Sequence, residues 1–519
     1  MRNKAFSITM YTTSILMLCI MLINISGCTK NFEERNTDKT RLTELSADDV
    51  LGFMTTAEYE GLYGAWGYQT SQGLFADQYC QYFGGTQTAF DSHRYVIHQA
   101  WVKDQFAATY VNMMPALVTI INNTKDGKAP TLNAIARTWK VFCLSRATDY
   151  YGPIPYSKIG SDSTSISYDS QEFIYNDFFK ELAAASADLK NNLSVTTPTF
   201  GAKDRIYGGD LSKWLKFCNT LRLRLALRIS KVKPDKAKIE AEAAVAGGVL
   251  EASDEDAAFK VTSEQYNPFG VQSGWNEFRM SATMESVLKG YNDPRMSKYF
   301  QPANEGGYHG VRNGMVPGEQ NELLNDYNHN SNVASGLTPD EKGLTNAIAM
   351  RSAESYFLRA EGVLNGWAMG GGDAKSFYEN GIKIAMQSWG ITDALELASY
   401  VNGTGTPVAI NDFFNTPALT DIPVKWAATI DKQREQIGTQ KWLAIFPDGH
   451  EAWAEMRRSN YPKFYPIIHS DNPDVPANTM ISRITFLDAD RARNGAAVKA
   501  AEALLGGPDK ASTPLWWDK

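Results

Sequence analysis

The chain has 519 residues, of which 43% are hydrophobic and 21% are charged, and its formal net charge is −7 at pH 7. This composition is typical of a folded protein with a sizeable core. The basic residues are spread along the chain, which argues against a nucleic-acid partner, because a phosphate-binding surface needs concentrated Lys and Arg.

The N-terminus carries a targeting signal. Two basic residues precede an apolar stretch over residues 15–25, which is too short to span a bilayer as a mature helix. A Ser-Gly pair then leads into Cys28, a pattern that resembles the lipobox at which a bacterial lipoprotein is cleaved and acylated. We therefore expect residues 1–27 to be a lipoprotein signal peptide and Cys28 to carry the lipid. A plain secretory signal and an uncleaved anchor are the alternatives.

Residues 28–45 are polar and charged, which predicts a lipidated tether ahead of a single folded domain over residues 46–519. The cysteines of that domain are Cys80, Cys143 and Cys218, and none has the C-x-x-C spacing of a metal or redox site. Cys218 falls on an apolar helical stripe, so we interpret it as a core residue.

Hydrophobic periodicity predicts a mostly α-helical body. The predicted helices, in chain order, cover residues 97–121 with an interruption near Pro115, 132–150, 171–189, 211–230, 236–246, 280–289, 347–366, 373–389 and 433–458 with a break at 447–449. Ahead of them, Gly84 and Gly85 predict a loop within an aromatic-rich segment. Between residues 247 and 346 the chain is rich in Gly, Asn and Pro, and so long an irregular region usually carries function or moves.

The helix predicted over residues 211–230 organises the rest of the chain. Its apolar residues lie on two faces, which predicts that it is sandwiched inside a helical array. Arg222, Arg224 and Arg228 then have little free surface, so each should snorkel outward or meet a carboxylate from a neighbouring helix. An anion site built from these arginines is the alternative interpretation.

Five segments carry recognisable motifs, in order along the chain. They are residues 146–156, where Asp149 leads into Gly152-Pro153; residues 214–228, with the pattern W-x-K-F-x-N-x-L-x-x-R; residues 293–295, Asp-Pro-Arg; residues 351–361, with Arg351, Glu354 and Glu361; and residues 441–458, ending in W-x-E-x-R-R. Behind a lipobox, this series resembles the SusD/RagB family of outer-membrane nutrient-binding lipoproteins, in a divergent branch with a longer aromatic N-terminal part. The two glutamates are candidate partners for arginines of the central helix.

This resemblance implies a mostly α-helical fold in which tetratricopeptide-like helix pairs pack against a loop-rich ligand-binding face. It also implies a cell-surface lipoprotein, anchored in the outer membrane through Cys28, with a SusC-like TonB-dependent transporter as partner and an oligosaccharide or polysaccharide as ligand. Gly362, Ala374, Tyr378 and Gly381 fall near the small and aromatic positions of one such helix pair.

The common catalytic motifs do not occur in this sequence. Its six histidines form no H-E-x-x-H, and no G-x-S-x-G elbow, P-loop or EF-hand loop is present. We therefore predict no catalytic residue, no metal and no cofactor. We interpret Asp149 as a turn-capping or ion-paired residue, with a catalytic carboxylate as the alternative. A carboxylate pair for glycoside hydrolysis is recognised by its separation in space, so that possibility stays open.

Aromatic residues in Gly- and Asn-rich loops are the candidate ligand contacts. Sugar rings stack their C–H faces on flat aromatic side chains, and their hydroxyls pair with amide, carboxylate and guanidinium groups. The candidates, in order, are Trp275 with Asn276 and Arg279, then Tyr82 and Tyr308, and Tyr266. The competing interpretation is that each aromatic fills the core beneath a long loop, because aromatic side chains are mostly buried.

The predicted function is therefore capture of oligosaccharides at the cell surface, without catalysis, and their transfer to the partner transporter. A peptide ligand in the same complex is the first alternative, and a charged cleft in place of an aromatic platform would favour it. A lipid-anchored glycoside hydrolase is the second alternative.

Overall fold

The computed structural model describes residue 45 and residues 47–87, 89–125, 127, 129–161, 165–195, 201–316, 329–338 and 345–519. Ala47–Lys519 forms one compact unit. The predicted signal peptide, Cys28 and the tether up to residue 44 lie outside the described residues. The lipid anchor and the domain boundaries therefore stay predictions.

The described part of the chain is mostly helical. Its α-helices are α1 (Ala47–Gly61), α2 (Gly64–Tyr68), α3 (Ala76–Tyr79), α4 (Gln99–Ala107), α5 (Met114–Thr124), α6 (Pro130–Tyr151), α7 (Gln171–Asn191), α8 (Leu211–Arg228), α9 (Pro234–Ala246), α10 (Pro268–Ser273), α11 (Ala282–Gly290), α12 (Met296–Tyr299), α13 (Ala353–Leu364), α14 (Ala374–Gln387), α15 (Ala394–Val401), α16 (Ile430–Ala444), α17 (Gly449–Ser459), α18 (Asp488–Arg493) and α19 (Gly495–Leu504).

Short strands join distant parts of the chain. They are β1 (Phe83–Gly85), β2 (Ile154–Pro155), β3 (Tyr168–Asp169), β4 (Ala257–Phe259), β5 (Phe278–Met280) and β6 (Ala347–Met350). β1 pairs with β5, β2 with β3 and β4 with β6, in each case antiparallel. The strands fix loops onto the helical body and build no extended sheet.

The predicted helix interruptions are confirmed. The π-helical segment Ala108–Met113 separates α4 from α5, and Pro115 lies in the first turn of α5. The later break falls between α16 and α17, and Asp448 caps α17 by accepting a hydrogen bond from Glu451 N.

Neighbouring helices pack as pairs, which confirms the predicted mostly α fold. α1 packs against α5, α6 against α7, α8 against α9, and α13 against α14. In the last pair Gly381 allows close approach: a Cβ on Gly381 of α14 would lie 2.9 Å from the ring of Phe357 on α13. A larger side chain there would push the two helices apart. A Cβ on Gly362 would lie 2.5 Å from Met369 Sδ, in the loop that joins the two helices.

The central helix α8 is buried as predicted, and its arginines meet carboxylates. α8 packs against α7, α9 and α13. Arg222 Nη2 lies 2.5 Å from Glu240 on α9, Arg224 Nη2 lies 2.5 Å from Glu354 on α13, and Arg228 Nη2 lies 2.6 Å from Glu451 on α17. These ion pairs tie three neighbouring helices to α8.

Glu361, the other glutamate predicted to meet α8, has a different partner. It accepts hydrogen bonds from Arg458 on α17, from Nη1 at 2.7 Å and from Nη2 at 2.6 Å. Asp149 has the predicted structural role: Tyr175 Oη and Trp517 Nε1 donate to its Oδ1 at 2.6 and 2.8 Å, and Arg228 Nε lies 3.4 Å from its Oδ2. The charged residues of these motifs therefore hold helices together.

Two segments are strands where the sequence predicts otherwise. The predicted helix from residue 347 begins only at Ala353, because Ala347–Met350 pairs with β4 and satisfies its backbone groups across the sheet. Gly84 and Gly85, predicted as a loop, belong to β1. A Cβ on Gly84 would lie 2.9 Å from Val311 Cβ, so glycine is needed there for close approach of another segment.

The carboxyl group of Asp77, in α3, is fully buried. Tyr68 Oη donates to its Oδ2 at 2.8 Å, and Gln72 Nε2 donates to its Oδ1 at 2.9 Å. Burial raises the pKa of Asp77 to about 7, although both hydrogen bonds favour the ionised form. The folded protein therefore favours protonated Asp77. The resulting stabilisation is complete below about pH 4 and is lost as the pH rises through 7.

We predict that Asp77→Asn makes the free energy of unfolding less dependent on pH. Between pH 5 and pH 7 the wild-type protein should lose about 2 kcal/mol through this carboxyl group, and the variant should not. The Tyr68 hydroxyl can rotate to accept a hydrogen bond from the new amide. Urea unfolding across this pH range measures the difference, with Asp393→Asn at the exposed N-cap of α15 as control. If the free energy of unfolding depends on pH equally in the wild type and in Asp77→Asn, the raised pKa of Asp77 is contradicted.

Candidate functional site

The antiparallel pair of β1 and β5 anchors the loops that carry the predicted site. Phe83 pairs with Met280, and Gly85 pairs with Phe278. The ring of Phe83 lies 4.3 Å from that of Phe278 and 5.7 Å from that of Phe269, and all three side chains are buried. The strands therefore rest on an aromatic core, which fixes the turn that precedes β5.

That turn places Trp275 and Asn276 at the surface. Trp275 N donates to Gln272 O at 2.9 Å, and Asn276 has a φ of +59°. Asn enters this left-handed region more readily than most residues. Trp275 is half-buried and Asn276 is exposed, so an indole ring and a side-chain amide lie next to each other in the sequence at the surface.

The side chain of Asn276 is held by its neighbours. Its Oδ1 accepts hydrogen bonds from Arg279 Nη2 at 3.2 Å and from Asn332 Nδ2 at 3.3 Å, and its backbone carbonyl accepts from Thr86 Oγ1 at 3.4 Å. Asn276 Nδ2 makes no hydrogen bond to a described residue, so it is available to a ligand. Arg279, predicted as a ligand contact, is only 2% exposed. It orients Asn276 and does not itself form the surface.

Tyr308 lies in an adjoining loop. Ala303 N donates to Gly307 O at 2.9 Å, which closes the turn just before the half-buried Tyr308. Ser331 N donates to the carbonyl of His309 at 2.9 Å, and the residue after Ser331 is the asparagine that holds Asn276. The structure thus brings the predicted residues Trp275, Asn276 and Tyr308 into adjoining loops.

Tyr266 lies apart from this group. It is 41% exposed and directly precedes Asn267, which caps α10. Within the described residues, no hydrogen bond or ring contact joins Tyr266 to the Asn276 turn. Its place as a ligand contact stays a prediction.

Tyr82, predicted as a ligand contact, is a core residue. Its side chain has 0% exposure, and its Oη donates to Trp442 O at 2.5 Å. Its ring centroid lies 5.3 Å from that of Trp442 and 5.1 Å from that of Phe446. The competing interpretation, an aromatic that fills the core beneath a loop, is therefore the right one for Tyr82. The Trp442 carbonyl satisfies the hydroxyl that burial would otherwise leave unpaired.

Three residues of this site were missed by sequence reasoning. Thr86 and Asn332 position Asn276, and Glu277 accepts hydrogen bonds from Gln69 Nε2 at 2.5 Å and Gln272 Nε2 at 3.3 Å. Burial raises the pKa of Glu277. Asn332 is 56 residues from Asn276 in sequence, so no local pattern marks it. Glu277 adjoins the predicted Asn276, and this proximity is the one signal that could have identified it.

The chemistry available at this face is stacking and hydrogen bonding. Trp275 and Tyr308 supply partly exposed rings, and Asn276 supplies an oriented amide. In the part of the chain that the structure describes, no three His, Cys, Asp or Glu side chains are grouped so as to hold a metal ion. The arrangement suits a ligand with both apolar faces and polar edges.

The helices pack as pairs, and loops fixed by short strands carry these aromatic and amide groups. The family model for SusD-like proteins, described as SusD and RagB outer membrane lipoprotein, matches residues 30–518. The chain belongs to this family. None of the described helices is both long enough and apolar enough to cross a membrane.

Solved structures of the family are similar to this chain over most of its length. A chitin-binding SusD homologue from Flavobacterium johnsoniae is 35% identical, with a TM-score of 0.83, and the match covers 91% of this chain and 98% of that one. A SusD homologue from Bacteroides vulgatus is 31% identical, with a TM-score of 0.83 and coverage of 90% and 97%. A SusD-like protein from Bacteroides thetaiotaomicron is 30% identical, with a TM-score of 0.82 and coverage of 91% and 98%. No curated protein matches the chain.

Proposed function

We propose that this protein is a cell-surface glycan-binding lipoprotein that captures oligosaccharides and passes them to a SusC-like TonB-dependent transporter. Its family and its similarity to a chitin-binding relative support a glycan as the ligand. The observation that carries the proposal is the half-buried Trp275 beside the exposed Asn276, whose amide is oriented by Arg279 and Asn332.

Each of these groups has a part in glycan recognition. The Trp275 ring stacks on the C–H face of a sugar, and Asn276 Nδ2 donates to a hydroxyl or to an N-acetyl carbonyl. Tyr308 contacts the next sugar unit from the adjoining loop. Since Arg279 and Asn332 already hold the amide, little conformational entropy is lost when the ligand binds.

The transporter and the lipid anchor complete the proposal. Acyl chains on Cys28 would keep the protein at the outer membrane, where more than one chain is needed for stable anchoring. A modest affinity, with a Kd of about 1 μM to 1 mM, is sufficient, because the transporter adds a second contact surface to the captured ligand. The helices would contact the transporter and the loops would select the glycan.

We predict that Trp275→Ala weakens glycan binding at least about tenfold, equivalent to about 1.4 kcal/mol, by removing the stacking surface. The measurement is calorimetric titration of the detergent-solubilised full chain with a glycan panel that includes chitin oligosaccharides. Trp367→Ala is the matched control, because Trp367 is also half-buried but lies between α13 and α14. The control should bind as the wild type does.

Analysis of the glycans after incubation with the same samples distinguishes a glycan-binding protein from a hydrolase and from a peptide-binding protein. Binding without product release, weakened by Trp275→Ala alone, supports the proposal. Release of shorter glycans would favour a lipid-anchored hydrolase. Absence of binding to every glycan would count against the proposal and would lead to titrations with peptides.

A further inference from the structure

The segment Gln69–Gly73 packs against the turn that carries Trp275 and Asn276. It is a π-helical turn, a rare conformation that often occurs at functional sites. A Cβ at Gly73 would lie 1.9 Å from Gln272 Oε1, so only glycine leaves room there for the Gln272 side chain. Gln272 precedes the turn, and its carbonyl accepts a hydrogen bond from Trp275 N at 2.9 Å. The π-helical segment therefore fixes the residue from which the turn starts.

The Glu277 carboxylate links this segment to the turn. Its Oε1 accepts a hydrogen bond from Gln69 Nε2 at 2.5 Å, and its Oε2 accepts one from Gln272 Nε2 at 3.3 Å. The backbone carbonyl of Glu277 accepts from Thr86 N at 3.1 Å, which fixes the far end of the turn to the residue after β1. Gln272 and Glu277 lie at the two ends of the turn, so one carboxylate holds both ends together.

The ionised form of Glu277 suits these partners. An ionised carboxylate only accepts hydrogen bonds, so each oxygen can serve one of the two amide donors, whereas a protonated carboxyl turns one oxygen into a donor. Hydrogen bonds to a charged acceptor are also stronger than neutral ones. Protonation of Glu277 therefore breaks one of these bonds or replaces it with a weaker, neutral one.

The described segments that meet Glu277 bring no titratable group to its carboxyl. Gln69–Gly73, α10 and β1 contain no titratable residue in their sequences. Arg279, on β5, donates to Asn276 Oδ1 and to the carbonyl of Phe278. Burial raises the pKa of Glu277, although its two amide donors favour the ionised form. The carboxyl therefore titrates at a higher pH than an exposed glutamate does.

We propose that Glu277 is a positioning residue whose ionised carboxylate clamps the Asn276 turn and thereby makes ligand binding at this face dependent on pH. The pH dependence rests on the proposed function, whereas the clamp stands on these contacts alone. Binding weakens as the pH falls through the pKa of Glu277, because the loosened turn no longer holds Trp275 and Asn276 in one arrangement. The midpoint should lie above about 4.3, the ordinary pKa of glutamate.

Hydrogen exchange at the amides of residues 272–277 tests the clamp without a ligand, in the detergent-solubilised full chain. Glu277→Gln has one acceptor and one donor group, as the protonated carboxyl does. At about pH 7 it should exchange about tenfold faster than the wild type, through the loss of one charge-assisted hydrogen bond. Gly73→Ala, which displaces Gln272, should change the rate in the same direction. Compared at equal pH, the wild type and Glu277→Gln should converge below the pKa of Glu277.

Calorimetric titration with chitin oligosaccharides tests the link to binding. The wild type should bind at least about fivefold more weakly at about pH 4 than at about pH 7, whereas Glu277→Gln should bind weakly and equally at both. Gly67→Ala and Glu264→Gln are the controls, because a Cβ at Gly67 meets no atom within 4 Å and Glu264 is exposed. Both controls should match the wild type in exchange and in binding.

The outcomes distinguish the clamp from the proposed function. The clamp is overturned if Glu277→Gln exchanges at the wild-type rate at about pH 7, or if the difference between the two persists unchanged at low pH. Control of binding by Glu277 is overturned if the pH dependence of glycan affinity survives in Glu277→Gln. If exchange behaves as expected but no glycan binds at any pH, the proposed function is contradicted and the clamp itself is supported.

Discussion

Replacing Glu354 by leucine is expected to lower the free energy of unfolding by about 3–5 kcal/mol, because the buried Arg224 then loses the carboxylate to which it donates two hydrogen bonds. Glu354 is fully buried and accepts hydrogen bonds from Arg224, from Nε at 2.8 Å and from Nη2 at 2.5 Å. Lys441 Nζ lies 3.4 Å away. Burial alone would raise the pKa of Glu354, yet Arg224 and Lys441 hold that pKa below its ordinary value. The carboxylate is therefore ionised in the folded protein.

The double variant Arg224→Met/Glu354→Leu isolates the charge effect. It replaces the pair with apolar side chains, and Lys441 keeps Glu455 at 3.0 Å. Glu451, which also lies 3.6 Å from Arg224, keeps Arg228 at 2.6 Å and Lys441 at 3.6 Å. We expect the double variant to be more stable than either single variant, since apolar replacement of a buried ion pair is often close to neutral. Urea denaturation measures all three. If the double variant loses as much free energy of unfolding as the two single variants together, this account of the pair is contradicted.

An exposed ion pair provides the control for this comparison. Lys233 Nζ lies 2.6 Å from Glu172, and their side chains are 46% and 43% exposed. Lys233→Met should therefore change the free energy of unfolding by less than about 1 kcal/mol, because solvent screens such pairs. The contrast with Glu354 tests burial as the cause of the larger loss.

The burial of α8 could be predicted from the sequence because apolar residues on two faces leave a helix no exposed side. The sequence also predicts that Arg224 and Arg228 form ion pairs, since a buried guanidinium needs an anion. It does not predict which carboxylate is the partner. Glu354 meets α8 whereas Glu361 meets Arg458, because the relative placement of α13 and α17 decides the pairing and no local pattern encodes it.

Strand β6 shows that secondary structure, too, can depend on a partner segment that is distant in the sequence. Ala347–Met350 is a short apolar run directly before a helix, and such a run fits a helix or a strand equally well. Its partner Ala257–Phe259 decides the outcome, and that segment lies in the irregular region before residue 346. Pairing across such a distance is a tertiary choice that overrides local propensity.

The same distinction between local features and long-range contacts applies to the candidate site. Trp275 and Asn276 form one local turn in a Gly- and Asn-rich segment, so the sequence could group them as one candidate, and their role in ligand binding stays a prediction. Their support by Asn332 could not be predicted, because it comes from a different loop. Tyr82 was misplaced for the converse reason: the aromatic-rich segment around it suggests a loop platform, but β1 docks on the helical body and buries it.

Replacing Tyr82 by alanine is expected to lower the free energy of unfolding by about 3–5 kcal/mol, as loss of a large buried aromatic ring leaves a cavity. The ring lies between Trp442 and Phe446, at centroid distances of 5.3 and 5.1 Å, and no part of the side chain is exposed. Urea denaturation measures the loss. Glycan affinity of the fraction that remains folded should stay within about twofold of the wild-type value, because Tyr82 does not reach the surface.

The Tyr82→Phe variant distinguishes the contribution of the aromatic ring to stability from that of the hydroxyl. It keeps the aromatic packing but removes the donor to the Trp442 carbonyl, so the free energy of unfolding should fall by only about 1–2 kcal/mol. A ligand contact would behave in the opposite way: Tyr82→Ala would then weaken glycan binding while leaving the urea midpoint unchanged, as expected for Trp275→Ala. Comparing the two alanine variants therefore decides which aromatic belongs to the core and which to the binding face.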